Sequence, residues 1–81
     1  MEKLLIAIVN GLVEKQEDVN VTSSTSDEDI TIYTLHTHRE DVGRIIGKKG
    51  RIIHAIRTVM RAAASKQGMK IAVEVESEPK E

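Results

Sequence analysis

The sequence predicts an α+β fold of two layers, a three-stranded sheet with helices packed on one face. Two observations predict it. Three segments alternate apolar and polar residues with the period of two that is typical of a half-buried strand, and three others repeat apolar residues at helical spacing. Such strands and helices each bury only one side, so they are stable when they cover each other. The predicted element order is α-β-β-α-α-β.

The N-terminal half supplies one helix and two strands. The helix is predicted over residues 2–15, the first strand over 18–24 and the second over 29–37, which is rich in β-branched residues. The alternation of the second strand slips between Ile32 and Leu35, which predicts either a bulge or burial of both faces. The other residues predicted to face the core here are Leu5, Ile8, Val9, Leu12, Val13, Val19 and Val21.

The C-terminal half supplies two helices and the last strand. Thr37 and Glu40 have the spacing of a capping box, which predicts the start of a short helix that stops at Gly47. A longer helix is predicted to follow Gly50 and to stop at Gly68. The residues predicted to face the core are Ile52, Ile53, Ile56, Val59, Met60 and Ala63 of the long helix, and Ile71, Val73 and Val75 of a strand over 69–77.

Length and composition exclude several classes of function. The 81 residues predict one domain over residues 1–78 and a flexible tail over residues 79–81. The chain has no cysteine and no run of the ~20 apolar residues that a membrane span needs, and we predict a cytoplasmic protein. Three histidines do not make a metal site without further ligands, and no serine has a nearby base. No metal, no other cofactor and no enzymatic activity are therefore predicted.

Charge is strongly segregated along the chain, although the net charge is only −1. Residues 39–70 hold nine Lys and Arg against two acids, which is +7, and the remainder holds three against eleven, which is −8. No acid occurs from Val42 to Val73. A local basic field governs binding of a polyanion more than the average charge does, so the segment favours a nucleic-acid partner.

The centre of the basic segment is a turn between the two C-terminal helices. Gly47 and Gly50 enclose Lys48 and Lys49, and Arg51 follows in the first turn of the long helix. Glycines permit positive φ and close approach of other groups, and the first N–H groups of a helix attract anions. This arrangement predicts a site for several successive phosphates.

Three other interpretations of this turn remain open from the residues alone. The turn is a tight helix–helix connection in the plainest interpretation. A helix-turn-helix reader needs polar base-reading residues where this helix begins with Arg51, Ile52 and Ile53. A Walker loop needs Lys and Ser or Thr after its last glycine, and Arg51 stands there instead. A base-stacking platform is disfavoured because Tyr33 is the only aromatic residue.

The stretch "IIGKKGRIIHAI" resembles the core signature of the KH domain, (I/V)-I-G-x-x-G-x-x-I. Gly47 and Gly50 match its glycines, Ile46 the preceding apolar residue, and Ile53 and Ile56 the apolar positions that follow. The element order resembles the type II KH arrangement of bacteria. Over essentially its whole length the chain resembles the KhpA (YlqC-like) family of small bacterial KH-domain RNA-binding proteins.

The resemblance implies a groove for single-stranded RNA between the two helices and a sheet edge, with the G-x-x-G loop clamping about four nucleotides. Gly47, Lys48, Lys49, Gly50 and Arg51 would hold the sugar–phosphate backbone. The groove candidates are Val42, Arg44, Ile45, Ile46, Ile53, His54 and Arg57. Ile56 is a further apolar candidate for the groove floor. About half of these five apolar residues are expected to be purely core, because isoleucines at helical spacing usually are. One departure is Arg39, where the family often has proline before Glu-Asp-Val-Gly.

Two functions follow as hypotheses. The first is an RNA-binding protein that acts as an RNA chaperone or post-transcriptional regulator, which the resemblance links to cell elongation and division, and so to cell shape and cell-wall biogenesis. The second is a protein-interaction scaffold that forms a homodimer or pairs with a multidomain KH protein of the KhpB (Jag) type, with RNA binding secondary. The intact loop favours the first, because a scaffold has no physical need for both glycines and both lysines.

Overall fold

The computed structural model describes residues 1–77, so residue 78 and the predicted tail 79–81 lie outside the described residues. Over the described chain it confirms the predicted α+β class and the order α-β-β-α-α-β. No helix there is long and apolar enough to cross a membrane. The elements are α1 (Glu2–Asn10), β1 (Asn20–Thr25), β2 (Thr31–Thr37), α2 (Val42–Ile46), α3 (Arg51–Lys66) and β3 (Ile71–Ser77).

The sheet has the order β1-β2-β3, with β2 in the centre. β1 and β2 pair antiparallel, whereas β2 and β3 pair parallel, and the crossover between the parallel strands is made by α2 and α3. The pairing of β2 is continuous with both neighbours, so the slip in its pattern is not a bulge. Tyr33, Leu35 and Thr37 are buried in alternation, and Ile32 lies half-buried on the opposite face.

One hydrophobic core lies between the sheet and the helices. Leu5 and Val9 of α1, Leu35 of β2, Ile45 of α2 and Met60 of α3 are all fully buried in it. Burial of a side chain of this kind stabilises the fold by about 1.5–3 kcal/mol. The core therefore fixes α2 and α3, which flank the glycine turn, on the sheet.

The N-terminal elements differ from the prediction at their ends. α1 ends at Asn10, and Gly11 forms the tight turn that follows, its N–H donating to the carbonyl oxygen of Ile8 at 3.3 Å. Gly11 thus terminates the helix that was predicted to run through it to residue 15. Val13 is nevertheless buried beyond the helix end. A short 3₁₀ turn occupies Gln16–Asp18, so the first strand begins at Asn20 and not at the predicted residue 18.

The predicted capping box of Thr37 and Glu40 is wrong. Thr37 is the fully buried last residue of β2, and its hydroxyl donates to the carbonyl oxygen of His38 at 3.3 Å. His38 takes the capping position instead, because its Nδ1 accepts the N–H of Glu40 at 3.0 Å. This cap starts a 3₁₀ turn over Arg39–Asp41 that leads directly into α2.

Candidate nucleic-acid interface

The glycine loop, residues 47–50, has a backbone that requires both of its glycines. Gly47 follows α2 with φ 75° and ψ 175°, a conformation that is essentially confined to glycine. Gly50 precedes α3 in the left-handed conformation, with φ 72° and ψ 19°. Lys49 also has a positive φ of 55°, a conformation that is unfavourable for a residue with a side chain. The loop reverses the chain sharply, and its ends are joined by a hydrogen bond from the Gly50 N–H to the Gly47 carbonyl oxygen at 3.2 Å.

The two glycines differ in the space around them. A Cβ atom at Gly47 would lie 2.6 Å from Cγ1 and 2.9 Å from Cβ of Ile52, distances that real Cβ atoms essentially never show. A Cβ atom at Gly50 would meet only Cγ2 of Ile53, at 3.8 Å, which is an ordinary contact. Gly47 is therefore needed for its backbone conformation and for the close approach of Ile52, whereas Gly50 is needed for conformation alone.

The cations of the loop are available to a ligand. Lys48, Lys49 and Arg51 are exposed, and none of them forms an ion pair with a residue in the part of the chain that the structure describes. α3 itself carries no acid. The three charges therefore surround the start of α3, where the first N–H groups of the helix add a partial positive charge. The arrangement suits the negative charge of a phosphate backbone.

A basic stripe runs along α3 from the loop. Residues His54, Arg57 and Arg61 are spaced i, i+3 and i+7, so they lie on one side of the helix. Arg57 of this stripe reaches the outer strand of the sheet, since its Nε donates to the carbonyl oxygen of Val73 on β3 at 3.0 Å, whereas His54 and Arg61 are exposed. α2 packs against both α3 and β3. The loop, the two helices and the β3 edge thus lie together on one side of the molecule.

The apolar groove candidates divide between core and surface. Val42 and Ile46 of α2 are half-buried and remain partly accessible beside the loop. Ile45 is fully buried, and Ile53 and Ile56 are 5% and 4% exposed. For Ile45 and Ile53 the structure therefore corrects the assignment to the groove, because core packing leaves their side chains no surface for a ligand.

Arg44 takes part in an ion-pair network at the start of α2. Its Nη1 donates to Oδ1 of Asp41 at 2.8 Å and its Nη2 lies 3.4 Å from Oε1 of Glu14. Asp41, only 1% exposed, also accepts the N–H groups of Glu14 at 3.2 Å and Lys15 at 3.0 Å. These hydrogen bonds and ion pairs connect the segment after α1 to the start of α2. Arg44 thus pairs with protein acids while its side chain stays 45% exposed, and its assignment as a groove residue remains a prediction.

Asp41 is the site-supporting residue that sequence reasoning missed. Burial raises the pKa of Asp41, but hydrogen bonds from the N–H groups of Lys15 and Glu14 and from Arg44 outweigh it, and the pKa lies below its ordinary value. The folded protein therefore holds this carboxylate ionised in a pH range where the unfolded chain would protonate it. Its contribution to stability is complete at neutral pH and is lost as the pH falls through the lowered pKa.

Replacing Asp41 by asparagine is predicted to lower the melting temperature at pH 7 by on the order of 10 °C, because two backbone donors and Arg44 lose their charged acceptor. The difference from wild type should shrink below about pH 4, the ordinary range of an aspartate pKa. Thermal unfolding from pH 7 to pH 2.5 measures both effects. Glu40→Gln is the matched control and should change little, since Glu40 is exposed and its ion pair with Lys15 spans 4.0 Å. A difference that persists undiminished at pH 2.5 would contradict the assignment.

A second surface feature is the α1–α3 groove, an apolar groove on the other flank of α3. It has a volume of about 380 Å³. Ile52 and Val59, which the pattern predicted to face the core, are 36% and 50% exposed beside it. The buried stripe of α3 contains Ile53, Ile56 and Met60, as predicted, together with Ala64 in place of the predicted Ala63, which is half-buried. The groove is lined by Ile8, Leu12, Arg51, Ile52, Ala55, Ile56 and Val59.

The histidines of the sheet region have protein partners. Nε2 of His36 lies 3.2 Å from the hydroxyl of Thr22, and its Nδ1 lies 3.7 Å from Oε1 of Glu76, on the face of the sheet away from the helices. Within residues 1–77 no group of three or more His, Asp or Glu side chains is placed to hold a metal ion.

The chain matches a family model described as KhpA/KhpB, KH domain, over residues 2–75. It is 47% identical over 75 residues to the RNA-binding protein KhpA of Listeria monocytogenes, an alignment that covers 93% of this chain and 97% of that one. The KhpA of Clostridium perfringens is also 47% identical, with 93% and 99% covered. The KhpA of Chlamydia trachomatis is 40% identical over 78 residues, with 96% and 99% covered.

Solved structures with the same fold include the protein Era. Aquifex aeolicus Era bound to GDP·AlF4⁻ superposes with a TM-score of 0.62 at 17% identity, covering 93% of this chain and 29% of Era. Era in complex with MgGDPNP and nucleotides 1506–1542 of 16S ribosomal RNA gives a TM-score of 0.57 at 17% identity, covering 93% and 28%. The chain thus spans less than a third of Era, and at this identity the likeness shows the fold alone.

Proposed function

This chain belongs to the KhpA/KhpB KH-domain family, and from that membership we propose that it binds single-stranded RNA at the glycine loop. The relatives it matches are named RNA-binding proteins and not enzymes. The observation that carries the proposal is the exposed, acid-free turn in which two glycines present Lys48, Lys49 and Arg51 at the start of α3. Such a turn suits the repeated negative charge of a sugar–phosphate backbone.

The same geometry supports weak, sequence-tolerant binding. Tyr33 is buried in the core, so it offers no platform on which a base stacks. The bases would instead lie over the accessible parts of Val42 and Ile46, beside His54 and Arg57. Tolerant binding by one small domain suits an RNA chaperone or a post-transcriptional regulator acting in the cytoplasm on transcripts. We extend this proposal to control of cell elongation and division, and so to cell shape and cell-wall biogenesis.

The test is a titration of a fluorescently labelled single-stranded RNA with the wild-type chain at several salt concentrations. We expect binding that weakens with salt, with a slope of log K against log salt of about −0.7 for each phosphate neutralised. About four nucleotides in contact with the loop would give a slope near −3 if every phosphate were neutralised. Lack of binding at low salt would contradict the proposal.

A second function, protein association, is favoured by the α1–α3 groove. Leu4, Ile52 and Val59 are the large apolar side chains that α1 and α3 leave exposed, at 37%, 36% and 50%. We propose a second copy of the chain as the occupant, because two copies related by a twofold axis would cover each other's exposed Ile52 and Val59. Linking two weak RNA sites in a homodimer would raise their effective concentration. A KhpB (Jag) type KH protein is the alternative partner.

Self-association is tested by size-exclusion chromatography with light scattering at low and high micromolar concentrations. The wild type should shift towards a dimer as concentration rises, and Val59→Asp, which places a charge in the exposed groove, should stay monomeric. A wild type that remains a monomer at high micromolar concentration contradicts the second copy as occupant. Mixing with a KhpB (Jag) type protein then tests the alternative partner.

A further inference from the structure

Ile52 belongs to two surfaces at once. Its side chain lines the α1–α3 groove, and its Cβ, Cγ1 and Cδ1 atoms close the space beside Gly47 so tightly that a Cβ there would lie 2.6–2.9 Å from them. Ile52 is therefore packed against the backbone of the residue that opens the glycine loop. Its 36% exposure sets it apart from the fully buried core residues, whose main effect is on stability.

Within the described residues, the glycine loop is held by backbone hydrogen bonds at its two ends. α2 is only five residues long. Backbone hydrogen bonds at the loop run from Gly47 N–H to the Gly43 carbonyl oxygen at 2.9 Å, from Gly50 N–H to that of Gly47 at 3.2 Å, and from Arg51 N–H to that of Lys48. Gly47 has no Cβ and can sample many conformations at little cost. It therefore has no intrinsic preference for the observed φ near 75° and ψ near 175°. The loop conformation therefore depends on a neighbour that blocks the others.

The side chain of Ile52 has the properties such a neighbour needs. It is β-branched and lies in the first turn of α3, where χ1 has one strongly preferred rotamer. A stiff side chain on the start of a helix presents a fixed apolar wall to Gly47. Lys48 and Lys49, which follow Gly47, then project from a backbone whose direction is set.

We propose that Ile52 is a positioning residue for RNA binding, which holds the glycine loop in the conformation that receives the phosphates. The proposal rests on the proposed function of the loop and adds a residue that does not itself contact RNA. A preorganised loop binds more tightly because less conformational entropy is lost on binding. Removing the wall should therefore weaken RNA binding without removing any charge.

Val59 provides the matched control. It lies seven residues further along α3, on the same flank, lines the same groove and is more exposed, but it is not among the atoms that crowd Gly47. Ile52→Ala and Val59→Ala thus remove similar apolar groups from one surface. They differ in their contact with the loop, so the pair separates an effect of loop positioning from an effect of the groove.

The experiment compares wild type, Ile52→Ala, Ile52→Val and Val59→Ala in titrations of a labelled RNA of about four nucleotides, which is too short to bridge the two sites of a dimer, with melting temperatures measured in parallel. Ile52→Ala should weaken binding by about fivefold, the lower end of typical coupling between sites. Ile52→Val should bind like wild type, because valine keeps the β-branch and both γ carbons. Val59→Ala should also bind like wild type. Equal weakening by Ile52→Ala and Val59→Ala, or no weakening by either, overturns the proposal.

Amide hydrogen exchange of the RNA-free chain gives a second, independent measurement. The Gly50 N–H bonded to Gly47 should exchange faster in Ile52→Ala than in wild type, and unchanged exchange would also overturn the proposal. The variant Lys48→Asp/Lys49→Asp distinguishes failure of the positioning role of Ile52 from failure of the proposed RNA site. If this double variant loses RNA binding while Ile52→Ala keeps it, the positioning role fails and the RNA site stands. If the double variant binds like wild type, the proposed RNA site fails first.

Discussion

Lys48→Asp/Lys49→Asp should lose RNA binding by about a hundredfold or more at moderate salt, because like charges placed against one another cost several kcal/mol. The substitutions turn two exposed cations into anions at the point where the phosphates are expected to lie. The fold should be unaffected, since exposed substitutions away from special features change stability by about 0.5 kcal/mol at most. Aspartate also tolerates the positive φ of Lys49 better than lysine does. RNA titration and a melting curve measure the two effects.

Lys66→Asp/Lys70→Asp is the matched control for charge. Lys66 and Lys70 are also exposed, and Lys66 lies at the far end of α3, about 22 Å along the helix axis from Arg51 at 1.5 Å per residue. This separation exceeds the screening length of about 8–10 Å at physiological salt, so only a small loss is expected. Equal losses in the two double variants would mean that RNA follows the overall basic field and not the glycine loop.

Gly47→Ala should be far more damaging than Gly50→Ala. At Gly47 the new methyl group meets Ile52 at 2.6 Å, in a backbone conformation that costs a residue with a side chain about 1–3 kcal/mol before the clash is counted. At Gly50 the methyl group meets only Ile53 at 3.8 Å, and the left-handed conformation costs about 1–2 kcal/mol. We therefore expect a total loss of about 2–6 kcal/mol at Gly47, the sum of the backbone and overpacking contributions.

The two glycine variants are compared by denaturant unfolding and by RNA titration. Gly50→Ala should keep the fold with weakened RNA binding, and Gly47→Ala should lose RNA binding even at temperatures where it remains folded. Gly50→Asn refines the comparison, since asparagine accepts the left-handed conformation and should be milder than alanine. Equal destabilisation by Gly47→Ala and Gly50→Ala would contradict the difference in packing that the structure gives them.

The fold was predictable from the sequence because its signals are local and repeated. β3 alternates cleanly from Ile71 to Val75, and the end of α3 is marked by Gly68, which has a φ of 70°. The glycine loop was predictable for the same reason. Two glycines three residues apart between apolar helices define a turn, and both adopt the positive φ that glycine permits.

The flanks of α3 were not predictable from periodicity. Adjacent pairs such as Ile52 with Ile53 and Val59 with Met60 give two overlapping apolar stripes about 100° apart, and either satisfies the helical period. Packing against the sheet selects Ile53 and Met60 for the core and leaves Ile52 and Val59 facing the α1–α3 groove. Only the position of α1 shows that the second stripe has a surface of its own.

The hydrogen bonds that Asp41 makes at the start of α2 were not predictable from the sequence either. Asp41 accepts backbone N–H groups that lie 26 and 27 residues earlier in the chain, and such a pairing has no local pattern. The acid therefore looks like an ordinary favourable charge at a helix start. The cap at His38 was not predictable either. A ring nitrogen of His38 takes the capping position that the spacing of Thr37 and Glu40 assigned to Thr37.

RNA binding at the glycine loop is best tested by an NMR titration of the ¹⁵N-labelled chain with short single-stranded RNA. We expect the largest amide shifts at Gly47, Gly50 and Arg51, with smaller shifts along α3 at His54. The open face of the sheet, where Thr34 pairs with Glu74, should stay unchanged because its acids repel phosphate. Shifts concentrated on that open face, with residues 47–51 unmoved, would contradict the claim that the glycine loop holds RNA.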